Sequence, residues 1–349
     1  MMKTLYVKIR DPVQDMKKIC GAARLLVEGK LVAFPTETVY GLGGNALDEK
    51  AVAAIFEAKG RPLDNPMIVH IASPADLGHL CREVPPQAKA LAARFWPGPL
   101  TLVLPAREGI SPLVTGGLAT VALRIPRHPV ALALIRAAAV PVAAPSANRS
   151  GRPSPTRASH VLEDLDGRIA AVLDWGPCSV GVESTVLDME ANPPRILRPG
   201  GVTLEELQQV LPRVLPAAGG PVAPGEAPPS PGVKYRHYAP RSPLYLLLGE
   251  PGAVRQKIRN LCSQYREKGL KVGLLAASSW ETPPGCLAMN LAGKDDPQRA
   301  ASLLFAFLRD MDGEGVDVIL AEGLPEQGMG AAVMNRLRKA AGKNILPCD

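Results

Sequence analysis

Aromatic residues are scarce in this chain of 349 residues, at 4% of the total. A chain so poor in stacking side chains is not expected to hold single-stranded nucleic acid on an aromatic platform. Charge of one sign is also limited, because 40 lysines and arginines stand against 33 acidic residues and leave a net charge of +7. This small surplus favours anionic small molecules, or at most a modest nucleic-acid surface.

Paired cysteines and long apolar segments are missing as well. The six cysteines are scattered and form no C-x-x-C pair, so the sequence indicates neither a disulfide framework nor a zinc site. The N-terminal segment carries charges where a signal peptide needs an apolar stretch, and residues 130–145 are too short and too interrupted to cross a bilayer. We therefore expect a soluble cytoplasmic protein without contact with a membrane.

Common catalytic motifs are also absent. The sequence contains no G-x-x-x-x-G-K-[ST], no H-E-x-x-H and no G-x-S-x-G, and its five histidines are far apart. Any phosphate chemistry must therefore use another cradle, and we predict no metal site built from protein ligands.

The chain has the composition of a globular protein, with 46% hydrophobic and 21% charged residues. Its length predicts two domains. Residues 212–231 hold seven prolines and three glycines, which indicates an extended linker or a surface loop. We predict a first domain over residues 1–211, a linker over 212–241 and a second domain over 242–349.

Hydrophobic periodicity predicts an α/β protein. The first part combines helix-like segments with apolar strand-like runs and is rich in strands towards its end, which favours a mixed sheet with flanking helices. These runs cover residues 31–34, 67–71, 100–104, 121–125, 141–144, 169–173, 184–187 and 195–198. The second part alternates strands and helices more regularly, which predicts a small Rossmann-like domain. No G-x-G-x-x-G lies at its first turn, so a dinucleotide is not implied.

Three segments carry possible chemistry. In residues 34–44, hydroxyl groups follow a strand and three glycines come next, which suits a small polar ligand; on the residues alone, an ordinary turn is slightly favoured. Lys59 and Arg61 flank one glycine at a helix end, and a phosphate site or a solvated helix cap explains them about equally well. Residues 145–156 are dense in Ser, Asn and Arg, which fits either a nucleotide site or a flexible polar loop.

A set of nine motifs, taken in order, resembles a known family. They are FPTETVYGLG, K-x-R in AKGRP, NPMIVHI, WPGPLTLVL, VALRIP, APSAN, S-G-x-P-S-P-T, ESTV and RPG. Nearly all of residues 12–210 resembles the YrdC-type catalytic domain of threonylcarbamoyl-AMP synthases. The second part resembles the C-terminal accessory domain of the two-domain members, above all in SPGVKYRHYAP and AEGLPEQGMGAAVMNRLRKAA. The resemblance implies a YrdC-like mixed, twisted sheet with a large crevice, followed by a small Rossmann-like domain.

The resemblance also implies a reaction. Members of the family join L-threonine, bicarbonate and ATP into L-threonylcarbamoyl-AMP and release pyrophosphate, which makes them nucleotidyltransferases. Mg²⁺ would be held through the ATP phosphates, and the product would pass to the tRNA threonylcarbamoyltransferase complex. Direct contact with tRNA is compatible with this function but is not implied by it.

The matching positions imply a set of site residues. The threonine site would be formed by Thr38, His70, Arg124, Ser184 and the backbone near Ala144. ATP would be bound by Arg61, Asn65, Thr120, Ser146, Ser154 and Arg198. The residues expected to act in catalysis are Lys59, Arg61, Ser146 and Asn148. Without the resemblance, His70 would be interpreted as a core histidine.

Residues 234–241, KYRHYAPR, follow the proline-rich stretch and are too polar for a core. We predict that the linker crosses the catalytic crevice as a lid and that Tyr235 or Tyr238 reaches ATP. A passive tether is the alternative. Other functions stay open on the sequence: an RNA-binding module, or a regulatory protein that binds ATP and threonine without turnover. A hydrogenase-maturation carbamoyltransferase would need the C-x-x-C pairs that are missing.

Overall fold

The structure is a computed structural model that describes residues 3–218, 228–231, 234, 237–293 and 295–348. Its backbone contacts divide the chain into two units. The first unit comprises the described residues of 1–150, 154–179 and 183–235, and the second those of 151–153, 180–182 and 236–349. The predicted three-part division at residues 211 and 241 stays a prediction.

The elements of the first unit follow one another in chain order. They are β1 (Leu5–Lys8), α1 (Met16–Val27), β2 (Val32–Phe34), β3 (Gly41–Asn45), α2 (Glu49–Lys59), β4 (Ile68–His70), α3 (Leu77–Leu80), α4 (Pro86–Phe95), β5 (Leu100–Pro105), α5 (Pro112–Thr115), β6 (Thr120–Arg124), α6 (Pro129–Ala138), β7 (Val142–Ala143), α7 (Ala158–Leu165), β8 (Ala171–Asp174), β9 (Thr185–Asp188), β10 (Arg195–Arg198) and α8 (Leu204–Val210).

The strands of the first unit form one mixed sheet in the order β1-β8-β2-β3-β7-β4-β6-β5-β9-β10. Parallel pairs such as β4 with β6 alternate with antiparallel pairs such as β5 with β6. The predicted mixed sheet with flanking helices is therefore confirmed. Near its centre, β3, β7, β4 and β6 lie side by side, so the loops at their ends come close together.

Helices cover both faces of this sheet. On β2, Val32 and Phe34 pack into a core with α1 and α6, whereas Ala33 packs into the core that includes Ile55 of α2 and Leu91 of α4. This alternation follows from the two-residue period of a strand. Because both faces of β2 are buried, the strand reads as a continuous apolar run rather than as an alternating pattern.

The glycines of residues 41–44 do not lie in the loop that their composition predicts. They form β3, which pairs antiparallel with β2 and β7. A Cβ atom at Gly43 would lie 2.9 Å from both the Phe34 ring and the Val142 side chain, and one at Gly44 would lie 3.1 Å from Ile55. The glycines therefore let neighbouring layers approach a central strand closely, while residues 35–40 form the expected polar turn.

The second unit contains β11 (Leu244–Gly249), α9 (Pro251–Glu267), β12 (Val272–Ala276), β13 (Leu287–Asn290), α10 (Pro297–Gly313), β14 (Val318–Glu322), α11 (Met329–Ala341) and β15 (Ile345–Cys348). Its sheet is parallel, in the order β13-β12-β14-β11-β15. The predicted small Rossmann-like α/β domain is confirmed. Among the helices of the described ranges, none combines the length and the apolar character that a membrane crossing requires.

Candidate functional site

Polar side chains meet at one edge of the first sheet. His70 and Arg124 end the neighbouring parallel strands β4 and β6, and their Cα atoms are register partners. Val142 of β7 lies opposite His70, but β7 runs antiparallel to β4, so Ala144 lies beside Ile68 at the start of β4, where its N–H donates to the Ile68 carbonyl at 2.9 Å. The turn between β2 and β3 adds Thr38, whose hydroxyl accepts a hydrogen bond from Nη1 of Arg124 at 2.9 Å. Three of the five predicted threonine-site residues, Thr38, His70 and Arg124, are thus close together.

Arg124 is 3% exposed, and three partners fix its guanidinium. Besides Thr38, its Nε donates to the Gly98 carbonyl at 3.1 Å, and Nη2 lies 2.7 Å from Oε1 of Glu37. Sequence reasoning assigned no role to Glu37. In the sequence, the position of this carboxylate between two threonines was the only indication that it belongs to a polar site. Its partner depends on how the β2–β3 turn meets the end of β6.

Several buried polar atoms in this cluster lack hydrogen-bond partners. Within the described residues, Oε2 of Glu37, Nδ1 of His70 and Nδ1 of His128 have no hydrogen-bond partner. Buried polar atoms in proteins are normally paired, so unpaired ones often mark a ligand position. The cluster can therefore orient a small molecule that supplies N–H or O–H donors to these atoms and a carboxylate to Arg124.

Both histidines of this cluster are neutral at physiological pH. Burial, assisted by the charge of Arg124, lowers the pKa of His70 to about 3. Burial also lowers the pKa of His128 to about 4, against the opposing effect of Glu37. A neutral imidazole has one donor and one acceptor nitrogen, so His70 can hydrogen-bond a hydroxyl group without adding charge.

The depressed pKa of His70 predicts a loss of stability in acid. The unfolded imidazole takes up a proton near pH 6.5, whereas the folded one resists protonation until about pH 3. The contribution of the neutral form is therefore complete above pH 6.5 and is lost progressively as the pH falls towards 3. Urea denaturation should show the free energy of unfolding falling by roughly 2–3 kcal/mol more between pH 7 and 4.5 in the wild type than in a His70→Gln variant. Equal pH dependence in both proteins would show that folding does not lower the pKa of His70.

Lys59 occupies the last position of α2 but is 3% exposed. Its Nζ donates to the carbonyls of Ser146 and Asn148, both at 2.5 Å. The Ser150 N–H in turn donates to the Lys59 carbonyl at 2.9 Å. The loop after β7 therefore wraps around the end of α2 and buries the ammonium group, which does not fit the solvated helix cap that the sequence left open.

The same loop reaches the threonine-site turn. The Leu42 N–H donates to the Pro145 carbonyl at 2.7 Å, and the Ala147 N–H donates to the Tyr40 carbonyl at 2.8 Å. Lys59, Ser146 and Asn148 therefore adjoin the Thr38 turn through backbone contacts. This places a buried cation next to the acceptor-rich cluster.

Arg61 and Asn65 belong to the loop after α2. Arg61 is half-buried and donates from Nη2 to the Pro66 carbonyl at 2.7 Å. Asn65 is fully buried, and neither atom of its side-chain amide has a hydrogen-bond partner within the described residues. Burying an amide without hydrogen-bond partners raises the free energy of the folded state unless another group supplies those hydrogen bonds. Asn65 is therefore a strong candidate for contact with a ligand.

Ser184 and Arg198 form a further buried cluster beside β5 and β9. Arg198 donates from Nη2 to the Ser184 carbonyl at 3.0 Å, and the Ser184 hydroxyl lies 2.8 Å from that of Thr101. Ser154 donates to Oε1 of Glu183 at 2.5 Å. Glu183, like Glu37, is an acidic residue that sequence reasoning did not assign.

Three predicted residues lie apart from these clusters or outside the described residues. Thr120 is half-exposed at the start of β6, four residues before Arg124, which corresponds to about 13 Å at about 3.3 Å per residue. Tyr238 is buried in the second unit, where its ring lies 5.3 Å from the ring of Phe305 and 5.3 Å from the Arg336 guanidinium carbon. Tyr235 lies outside the described residues.

The cofactor predictions rest on anion-binding groups rather than on metal ligands. In the described part of the chain, no group of three or more His, Cys, Asp or Glu side chains could hold a metal ion. The donors in the first unit are cationic or amide groups, which suit phosphate and carboxylate oxygens.

Two family models and several known proteins are similar to this chain. A model described as "Telomere recombination" matches residues 24–200, and one described as "Threonylcarbamoyl-AMP synthase, C-terminal domain" matches residues 202–342. The threonylcarbamoyl-AMP synthase of Pyrococcus abyssi is 51% identical over 98% of this chain and 99% of its own length. The corresponding protein of Bacillus subtilis is 48% identical over 99% of both chains.

Solved structures agree with this result. The crystal structure of P. abyssi Sua5 complexed with L-threonine superimposes with a TM-score of 0.92 at 50% identity, over 99% of each chain. E. coli YciO, at 20% identity and a TM-score of 0.50 over 57% of this chain and 96% of its own, shares the fold of the first unit. On the family models and the full-length identities together, this chain belongs to the threonylcarbamoyl-AMP synthase family.

Proposed function

We propose that this chain is an L-threonylcarbamoyl-AMP synthase, a nucleotidyltransferase that converts L-threonine, bicarbonate and ATP into L-threonylcarbamoyl-AMP and pyrophosphate. The observation that carries the proposal is the buried cluster around Arg124, which offers one fixed cation and several unpaired polar atoms to a small ligand. A relative 50% identical to this chain has been crystallised with L-threonine. The sequence-based prediction of the function agrees with the names of these relatives.

The threonine site is proposed to comprise Thr38, His70, Arg124, Ser184 and the backbone near Ala144. The carboxylate of threonine would pair with the guanidinium of Arg124, since a fork of N–H groups matches two carboxylate oxygens. The hydroxyl and the amino group supply donors, which the unpaired Nδ1 of His70 and the local carbonyl groups can accept. Glu37 would act as a positioning residue that keeps the guanidinium in place.

ATP is proposed to lie along the cations and amides beyond the threonine site. Its phosphates would face Lys59 and Arg61, with Mg²⁺ held through the phosphate oxygens. The other proposed ATP contacts are Asn65, Thr120, Ser146, Ser154, Arg198 and one linker tyrosine. Of the two tyrosines, the packing of Tyr238 against Phe305 and Arg336 favours Tyr235 for this contact.

The reaction balances without a covalent enzyme intermediate. The amine of threonine attacks bicarbonate, water leaves, and a carbamate forms. A carbamate oxygen then attacks the α-phosphorus of ATP, the bond between the α-phosphorus and its bridging oxygen breaks, and pyrophosphate leaves. Because two anions must meet, the residues required are those that neutralise and position charge, with Lys59 and Arg61 nearest to the phosphates. The product would then pass to a tRNA threonylcarbamoyltransferase.

Pyrophosphate release with substrates left out in turn tests this function. We expect release from ATP only when L-threonine and bicarbonate are both present, because the nucleophile is their adduct. Undiminished release without threonine would contradict the assignment. Binding of ATP and threonine without any release of pyrophosphate would instead indicate a regulatory protein.

We also propose that the linker covers the ATP site. Of its described residues, Pro231 accepts a hydrogen bond from Nη1 of Arg198 at 3.2 Å, and Lys234 donates to Oδ2 of Asp64 at 2.7 Å. Ser230 is 1% exposed. Both contacts lie within the first unit. One involves Arg198, a proposed ATP-binding residue, and the other involves Asp64, the neighbour of Asn65. A passive tether would not need such contacts. A closed cover would exclude water from the labile mixed anhydride.

Hydrogen exchange tests this cover. Adding ATP and threonine to the full chain should slow amide exchange in residues 228–240, and a Lys234→Met variant should release more free intermediate into solution than the wild type. Lys343→Met, at an exposed position of the second unit, is the control. Unchanged exchange in residues 228–240, together with retention of intermediate in Lys234→Met, would support the passive tether.

A further inference from the structure

A crevice opens at the carboxyl edge of the second unit's sheet, between β11 and β14. The connection from β11 through α9 runs to β12 on one side, and that from β14 through α11 runs to β15 on the other. Since such crossovers are right-handed, the two helices lie on opposite faces of the sheet. The loops after β11 and β14 therefore diverge, and this divergence is where open α/β sheets bind ligands.

The crevice has a volume of about 290 Å³. This is at the lower end of the volumes of ligand pockets, which begin at about 300 Å³, so it admits one small molecule. Its walls are mainly apolar and come from Leu247, Leu248, Val254, Leu324 and Pro325. Such walls suit a molecule with an apolar or planar body rather than a sugar that is polar on all sides.

One carboxylate and one guanidinium form the polar end of the crevice. Glu322, at the end of β14, is 5% exposed, and its Oε2 accepts hydrogen bonds from the Ala277 N–H at 2.6 Å and from Trp280 Nε1 at 3.2 Å. Arg255, in the second turn of α9, donates from Nη2 to the Ser278 hydroxyl at 3.0 Å and lies over the Trp280 ring. Both groups are therefore held in fixed orientations.

The facing atoms of this pair are not joined to each other. Nε of Arg255 lies 3.7 Å from Oε1 of Glu322, beyond hydrogen-bond distance. Nε is buried and has no hydrogen-bond partner within the described residues. A buried donor without a partner thus lies close to a carboxylate oxygen with which it makes no hydrogen bond. A hydroxyl group placed beside them would accept from Arg255 and donate to Glu322, which satisfies both at once.

The charges around the crevice disfavour a phosphate. Glu322 balances Arg255, so the polar end is close to neutral. The first turn of α9, where a phosphate would otherwise bind, is already capped by Glu250, whose carboxylate accepts from the Gly252 N–H at 2.7 Å. The volume and the missing glycine motif also exclude a dinucleotide.

We propose that this crevice is a second ligand site, which binds an uncharged, hydroxyl-bearing molecule of nucleoside size. A ribose hydroxyl bridges Arg255 and Glu322, and the base packs against Leu248, Leu324 and Pro325. The site belongs to the second unit alone and does not depend on the function proposed for the first. It gives the accessory domain a binding activity of its own.

Adenosine is the probe, and hydrogen exchange of the full chain is the measurement, because it separates this crevice from the catalytic unit. Millimolar adenosine should slow exchange in residues 247–255 and 322–325. The control ligand, 2′,3′-dideoxyadenosine, lacks the bridging hydroxyl and should bind about tenfold more weakly at these peptides, the effect of one lost hydrogen bond.

Matched variants complete the test. Glu322→Gln keeps acceptors for Ala277 and Trp280 but presents an amide to Arg255, and Arg255→Met removes the donor; each should weaken adenosine protection about tenfold. Arg259→Met is the control, since Arg259 also lies over Trp280, at 5.3 Å, but does not line the crevice. Unaltered exchange in unliganded α10 and α11 verifies folding. No protection in the wild type, equal protection by the dideoxy compound, or equal losses in all three variants would overturn the proposal.

Discussion

Replacing Lys59 by methionine is expected to lower kcat for pyrophosphate release by about 10²–10³-fold, the cost of removing one preorganised charged donor from a reaction in which anionic charge is stabilised. Methionine keeps the length of the side chain and fills the same buried space. The lost group is the ammonium that bonds the Ser146 and Asn148 carbonyls. Expressed as a free energy, this loss of kcat should be larger than the loss of folding stability, because the reacting phosphates carry more negative charge than the two carbonyl groups.

The control for Lys59 lies on the same helix. Lys50 is exposed in the first turn of α2, and Lys50→Met should leave turnover unchanged. Arg61→Ala should behave like Lys59→Met, and Arg61→Lys should recover only part of the activity if the planar fork is needed. If Lys59→Met retains activity within a few-fold of the wild type, the role of Lys59 is confined to anchoring the loop after β7.

The sequence predicts the strands whose residues are apolar on both faces. It does not predict strands that contain residues uncommon in strands, such as glycine and proline. Residues 100–104 and 121–125 match β5 and β6 closely. The glycines of β3 read as a turn because their purpose, close packing against Phe34 and Val142, depends on distant residues. The edge strand β15 contains Pro347 and has too little apolar pattern to be found by periodicity.

The candidate site was harder to predict than the fold. From the residues alone, His70 suits a core strand, and Lys59 fits a phosphate site and a helix cap about equally well. The ordered motifs of the family gave both residues functional roles. Neither the residue pattern nor the resemblance assigned a role to Glu37 or Glu183, because both lie in loops whose buried partners depend on how distant segments meet. The structure supplies that information directly, through the contact of Glu37 with Arg124.

Variants of the ion pair between Arg124 and Glu37 distinguish a structural role of Arg124 from a role in binding threonine. Arg124→Gln should raise the KM for threonine by roughly 10²-fold while leaving the affinity for ATP unchanged, because a buried guanidinium that binds a carboxylate bidentately is lost. The same change leaves the Glu37 carboxylate buried without its cation and should lower the free energy of unfolding by about 3–5 kcal/mol. Urea denaturation and threonine kinetics measure the two effects independently.

The double variant Glu37→Gln/Arg124→Gln decides between these roles. Two neutral amides can hydrogen-bond each other, so much of the lost stability should return, whereas the KM for threonine should stay high because no cation faces the carboxylate. Arg136→Gln, at an exposed position on α6, is the control for removal of an arginine and should change neither quantity. If the double variant regains threonine affinity together with stability, Arg124 acts only by holding the β2–β3 turn. If only stability returns, the guanidinium itself binds the substrate and Glu37 serves to position it.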